Sequence, residues 1–427
     1  MSTATLFDQR YEKRKRELLG RILERLRSCY SAEELAALRI DRVNPAILSQ
    51  RSGRGFVNRD ILETVLGNLL ECVAPGSHNA LEAGHPVGDF SASIAEVADQ
   101  LYAMVAQSHL AVGADEDLED RALAAAYSVL WELVELKQRA QWNRFASLKD
   151  PAVWDAYLRR ACGLGEADLA ELDFAAHIDS AIALRDQACY QEFLDGLPGE
   201  GVFGYQMQLV TSTYPGWRVL FYHDVAHALT RSGPLDGDPR LHRDPVPLLP
   251  RAISELGGRY YQADIHPETR IGDANFLDHP HRGLTTGQTG VIGSGCHFYP
   301  CTLGGLTRRL YRRHPEIGDF VFIGTDADLF GPVRVGDHSV IGPSVEIYGL
   351  VETGPRCRVS ASVVIGTVRA GGAMPGRILL GSDVTIGDGT ILENRLESDL
   401  AIPDHADIPA RSLVVNDGFG RPKFVSR

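Results

Sequence analysis

From residue 265 onward the hydrophobic positions fall into a period of about six. Aliphatic residues followed by glycine recur at Ile271-Gly272, Ile292-Gly293, Ile317-Gly318, Ile323-Gly324, Val335-Gly336, Ile341-Gly342, Ile365-Gly366, Leu380-Gly381 and Ile386-Gly387. Further steps stand at Ile347, Val351 and Ile391. This pattern predicts short strands joined by bends. Each aliphatic side chain points into a shared interior, and the glycine or small polar residue after it lets the chain bend. Three steps close one triangular turn of a parallel β-helix, and stacked turns share one core.

The first 235 residues carry a different, helical pattern. Leu6 to Leu26 reads as an amphipathic helix with a charged face. Residues 41–58 are rich in Arg, Gly and Ser and read as a linker. Apolar pairs at Ile61-Leu62, Val65-Leu66 and Leu69-Leu70 predict a helix that stops at Pro75-Gly76. The best helix candidates are Ile94 to Ala111 and Glu119 to Phe145, with shorter helices over 151–194. Leu197 to Gly201 reads as a loop, and Tyr214-Pro215-Gly216 as a turn into a helix from Trp217 to Thr230. Five prolines between Pro234 and Pro250 exclude a helix there and mark a domain boundary. The expected division is an N-terminal extension (1–56), a helical domain (57–250), a coil domain (251–398) and a C-terminal cap (399–427).

Composition narrows the function classes. The chain has 427 residues, 44% of them hydrophobic and 23% charged, with a net charge of −13. That is ordinary for a globular protein of two or three domains, and its acidity argues against a nucleic-acid partner. No apolar run is long enough for a membrane span, and Met1 to Leu19 has no signal-peptide core. The seven cysteines are scattered, odd in number and free of CxxC pairs. This fits reduced thiols in a cytoplasm rather than a disulfide frame or zinc cage. The phosphate-cradling GxxxxGK[ST] signature is missing.

Candidate chemistry concentrates between 264 and 314. Asp264-Ile265-His266-Pro267 is followed by Leu277-Asp278-His279, then Cys301-Thr302-Leu303-Gly304-Gly305, then Arg313-His314-Pro315. Two histidines each sit beside a charged neighbour, with a Gly-Gly turn between them. An imidazole steadied by a carboxylate is a competent general base. Asp278, Arg313 and His314 bring both signs of charge into this stretch. Arginine suits a planar carboxylate through paired hydrogen bonds.

Taken together, DIHP, LDH, TLGG and RHP on hexapeptide repeats behind a helical domain resemble the serine O-acetyltransferases, over roughly residues 57 to 370. Ala74-Pro75-Gly76, Tyr214-Pro215-Gly216 and the helix carrying Ala226-His227 resemble the longer-chain bacterial branch. The resemblance implies an α+β fold, an N-terminal α-helical domain followed by a left-handed parallel β-helix. It implies transfer of acetyl from acetyl-CoA to the serine hydroxyl for cysteine synthesis, in homotrimers or dimers of trimers with CoA between coils, and with no metal. By resemblance His279 is the general base and Asp264 its partner carboxylate. Asp278 meets the substrate amino group, and Arg313 with His314 the carboxylate. Asp186, with Asp195 as rival, is the remaining substrate aspartate. Gly305, Thr325 and Gly342 lie at the CoA-facing positions.

The sequence also departs from the family. The turn after the first histidine, His279-Pro280-His281-Arg282-Gly283, is one residue longer. The loop from Leu306 to Arg313 carries four arginines, suited to CoA phosphates or to a larger acidic acceptor, or simply solvated. Pro343 removes a backbone N–H from a CoA-facing turn. The sequence ends in Phe424-Val425-Ser426-Arg427 rather than isoleucine, so a sulfhydrylase complex is not expected. Two other classes stay open. One is a zinc hydratase of the carbonic anhydrase type using His297, His314 and His338; the other is a non-enzymatic coil scaffold. His223-Asp224-x-x-His227 has a metal-like spacing on a helix but lacks the usual glutamate. Cys296 and Cys301 read as core or rim residues.

Overall fold

The computed structural model describes residues 59–73, 90–111, 117–132, 213–235, 238–306, 311–367 and 375–425, with isolated positions between 13 and 24 and at 136, 143 and 210. Two compact units emerge: Met1–Ala140 with Phe221–Ser254, and Gln141–Leu220 with Glu255–Arg427. The helices expected over 151–194, and with them Asp186 and Asp195, lie outside the described residues.

The first unit is helical, as its periodicity predicts. Helix α1 (Arg59–Val73) buries Leu62, Val65, Leu66 and Leu69, one stripe at helical spacing. In α2 (Phe90–Ala111) the stripe is Val97, Leu101, Met104 and Val105. Helix α3 (Leu118–Trp131) buries alanines 122 and 124 to 126, whose small side chains permit close helix contact. Helix α4 (Pro215–Ala228), whose first residues belong to the second unit, opens on a proline, tolerated because the first helical N–H has no intrahelical partner. The proline-rich stretch is not structureless. It forms an antiparallel hairpin, Gly233–Leu235 with Asp238–Arg243, and an isolated two-stranded ribbon has unpaired edges where proline fits. Arg243 of the hairpin pairs with the largely buried Glu132. Helix α5 (Leu249–Tyr261) follows, and two residues later the coil begins at Ala263.

The coil is the left-handed parallel β-helix that the repeat and the resemblance predict. Among the described residues its first face holds seven strands, from Arg270–Ile271 to Leu400–Ile402. The second also holds seven, from Phe276–Leu277 to Asp407–Ile408. The third has nine, from Ala263–Ile265 onward. All neighbours are parallel except the last strand, Pro422–Val425, which runs antiparallel to Leu413–Asn416. Leu277, Phe298, Ile323, Ile341, Val359, Ile386 and Ile408 stand in register on the inner side of the second face. All of these are buried.

Three expectations change. The glycine after each aliphatic residue serves close approach between rungs, not bending: a Cβ on Gly293 would lie 2.5 Å from the Gly318 carbonyl oxygen. The bends are made instead by left-handed residues that are mostly not glycine, such as Phe320, His338 and Arg356, with φ of 56°, 58° and 57°. Ile391 is half-exposed, and Leu392 takes the inward position, because strand alternation puts only one of the two adjacent residues inside. The coil also does not end at 398. Leu400–Ile402, Asp407–Ile408 and Leu413–Asn416 pair in parallel with the preceding rung, so only Pro422–Val425 acts as a cap. The repeats after residue 375 are therefore further rungs and not a separate lid.

Candidate active site

Regular rungs cross from the second to the third face in a few residues. Between Phe276–Leu277 and Leu284–Thr286 the chain uses six, where the next rung uses two. The surplus is thrown outward as a 3-10 turn, Pro280–Arg282, closed by Gly283 at φ 107°. His279 starts this turn in the left-handed region, φ 50°. Its side chain is 62% exposed. Insertion thus lifts one imidazole clear of the coil wall.

Asp278 stands beside it. One carboxylate oxygen lies 3.4 Å from His279 Nε2 and the other 3.8 Å from His297 Nε2. His297 sits on the outer side of the second face, in register between Phe276 and Phe322. Its ring contacts Phe276, Tyr299 and Phe322 at 4.7, 5.1 and 5.2 Å. Tyr214 stacks on Phe276, and burial, together with the Asp278 charge, raises its phenol pKa. The carboxylate therefore stands beside an imidazole that aromatic rings enclose. Asp264 projects from the outer side of the third face, where it is exposed and in register with Thr285.

The second histidine has the opposite setting. Eleven residues separate Cys301–Gly304 from Glu316–Ile317, where the next rung uses three. His314, at the end of this insertion, is 8% exposed. Burial first, then the charges of Arg313 and His266, push its pKa down to about 4. The Thr289 backbone N–H donates to His314 Nδ1 at 3.2 Å, and the Thr289 hydroxyl lies 3.0 Å from the same atom. The ring lies over Gly287, where a Cβ would come within 1.9 Å of Nε2. Only glycine permits that approach. Arg313 donates to Gln288 at 3.2 Å, and Gln288 in turn donates to Glu268 at 2.9 Å.

The residues expected to face CoA occupy corners of successive rungs. Gly305 is exposed, and a Cβ there would stand 2.9 Å from His314 Nε2. The Thr325 hydroxyl oxygen is buried with no hydrogen-bond partner among the described residues. Gly342 is buried against the backbone of the next rung, its absent Cβ 2.9 Å from the Val359 carbonyl oxygen. The arginine-rich loop is described only in part, 307–310 lying outside the described residues. Arg312 pairs with Glu316, which also meets Arg334 at 3.0 Å, so this arginine belongs to a ladder of charges along the first face.

Other candidates fall into place. His297, His314 and His338 keep different company, His338 being stacked on Phe320 at 5.1 Å. Among the described residues no group of three or more His, Cys, Asp or Glu side chains is arranged to hold a metal ion. His223 and His227 stack ring on ring at 5.6 Å. Cys296 is fully buried, its thiol pKa pushed up to about 12 by burial, which suits a core residue and not a reactive thiolate. Thr289 is the residue that sequence reasoning missed, since a single threonine carries no signal by itself. His297 was seen only as a possible metal ligand. Its place directly before the inward Phe298 marks it as outward-facing and hence available to Asp278.

No family model matches the chain. It is 32% identical to the serine acetyltransferase of Synechococcus elongatus over 123 residues, 29% of this chain and 45% of that protein. To the serine acetyltransferase of Staphylococcus aureus it is 32% identical over 127 residues, 30% of this chain and 54% of that protein. The matched stretch thus spans about half the length of these curated relatives. Among solved structures, serine acetyltransferase 1 of Entamoeba histolytica in complex with L-cysteine superposes with a TM-score of 0.49 at 19% identity, covering 80% of this chain and 97% of that one. Both curated relatives bear the name of the family that the four motifs resemble.

Proposed function

We propose that the chain is an O-acetyltransferase moving acetyl from acetyl-CoA to the hydroxyl of L-serine or a closely related hydroxy amino acid. The observation that carries this reading is His279. It is an exposed imidazole raised on an inserted corner turn, with a carboxylate at 3.4 Å, in a chain similar in sequence to serine acetyltransferases. His279 takes the hydroxyl proton as the oxygen attacks the thioester carbonyl. The carbon–sulfur bond then breaks, and the CoA sulfur leaves with the proton returned by the imidazolium. A positioned base contributes about 10²–10⁴-fold, and holding thioester and hydroxyl together supplies much of the rest.

Asp264 is the proposed partner carboxylate of His279, and Asp278 the ligand of the substrate amino group. Asp278 contacts both His279 and His297, so it also steadies the base. Arg313 and His314 receive the substrate carboxylate, and Asp186 is the remaining substrate aspartate. Gly305, Thr325 and Gly342 line the path of CoA, and the buried Thr325 hydroxyl supports this, being an atom in need of a partner. The site is completed between the coils of a homotrimer or of a dimer of trimers in the cytoplasm, without a metal.

The test is a coupled thiol-release assay with acetyl-CoA against serine, homoserine and related hydroxy amino acids. His279→Ala is expected to lose at least ~10² in turnover. Undiminished turnover in that variant removes the base. Asp264→Asn and Asp278→Asn, measured alongside, assign the supporting carboxylate: the partner lowers kcat, whereas the amino-group ligand mainly raises KM.

A further inference from the structure

We infer that Thr289 is the positioning residue for the Arg313–His314 pair, holding both residues through their backbone and fixing His314 as a neutral hydrogen-bond donor at Nε2. This inference rests on the proposed reading of that pair as the receptor of the acceptor's carboxylate.

The argument begins with the ladder. Strand pairing resumes only at Pro315, whose carbonyl accepts from the Val291 N–H at 3.1 Å. Arg313 and His314 lie just before it, at the end of the eleven-residue insertion. Their N–H groups go to one atom: the Thr289 hydroxyl oxygen accepts from Arg313 N–H at 3.0 Å and from His314 N–H at 3.2 Å. The Thr289 backbone N–H donates to His314 Nδ1 at 3.2 Å. An N–H can only donate, so Nδ1 accepts, and the hydroxyl, its oxygen 3.0 Å away, directs its hydrogen to the same nitrogen. The hydroxyl then uses all of its capacity, two acceptances and one donation. The remaining ring proton sits on Nε2.

One threonine on the rung below thus sets the height, orientation and tautomer of a buried imidazole, and the direction in which the neighbouring guanidinium leaves the chain. Gly287, two residues earlier, leaves room for the ring. Gln288, between them, takes a hydrogen bond from Arg313 at 3.2 Å. The three consecutive residues Gly287, Gln288 and Thr289 therefore form a seat for Arg313 and His314. His314 enters recognition as a neutral donor, and Arg313 brings the positive charge.

The test has two arms. In the first, ¹⁵N-histidine-labelled wild type and His314→Asn, used to assign the signal, are compared by NMR at neutral pH. Nδ1 of His314 is expected as the unprotonated nitrogen, and an Nδ1–H tautomer or a doubly protonated ring overturns the inference. In the second, steady-state kinetics are measured for Thr289→Val and Thr289→Ser. The valine variant is expected to raise KM for the hydroxy amino acid about tenfold, the worth of one hydrogen bond to a charged group, with kcat held within about twofold and KM for acetyl-CoA unchanged. The serine variant, which keeps the hydroxyl, is expected to recover wild-type KM. An unchanged KM in the valine variant sinks the inference. So does equal loss towards both substrates in the valine and serine variants, the sign of a merely structural role. A wild type that acetylates no hydroxy amino acid fails the proposed function, while the NMR arm still decides the seat.

Discussion

His279 and His314 show how far one side-chain type is bent by its setting. The first is lifted into solvent by an outward turn. The second is enclosed between Gly287, Gly305 and Thr289, and its pKa falls from the ordinary 6.5 to about 4. The linkage has a definite sign. Between those two values the unfolded chain binds a proton at residue 314 and the folded chain does not. Acidification through that window therefore favours unfolding, while above pH 6.5 the residue is neutral in both states and contributes no slope. Urea unfolding from pH 7 to pH 4.5 is expected to show stability falling as pH falls, less steeply in His314→Asn. An identical pH slope in that variant contradicts a depressed pKa. Asp264, Asp278, Arg313 and His314 were legible as candidates because each lies in a short motif. Thr289 was not, because its importance comes from what it touches across a rung.

At the scale of the element, the short strand is the unit that the sequence states most clearly. The aliphatic positions of the second face, Ile323, Ile341 and Val359, stand eighteen residues apart and one above another. Ile341 is fully buried between the other two. Ile341→Ala is expected to cost about 2–5 kcal/mol through lost burial and a residual cavity, read as a lower urea midpoint. It is expected to act through stability and not through the base, since Ile341 points into the interior while His279 stands outside it. The bends were less legible than the strands. Repeated glycine suggested flexible corners, yet the left-handed positions are filled by Phe320, His338 and Arg356. The fold imposes that conformation on side chains that do not favour it. The glycines record instead how closely one rung's backbone lies on the next. Ile391 was misread for a related reason, since a run of two aliphatics, Ile391-Leu392, does not say which one turns inward.

For the whole molecule, the two halves of the chain obey different rules, and the change of period at residue 265 announced this. The far end of the coil was harder to place. Proline and charge between 399 and 427 resembled a tail, but Leu400, Ile402, Ile408 and Val414 continue the interior. The antiparallel Pro422–Val425 then covers the edge of Leu413–Asn416. The covering is reinforced by Asn416, whose side-chain oxygen accepts from the N–H groups of Gly418 and Gly420 at 3.0 and 3.1 Å. Ending the chain after Asn416 exposes a row of unpaired backbone groups, a template for strand addition. Light scattering on the truncated protein is expected to show concentration-dependent association absent from the full chain. A truncated form as dispersed as the full chain refutes a protective role for the last strand.

The stack of rungs is close to a one-dimensional object, each layer steadied by its immediate neighbours. The residues singled out for chemistry, from Asp264 to His314, belong to its opening layers, where the two inserted turns also lie. The later layers carry few of these residues, although ten residues separate Val364–Thr367 from Ile378–Leu380. Such an arrangement separates reactivity from bulk: layers can be gained or lost at the distal terminus without moving the atoms that react, much as books are added to the open end of a shelf.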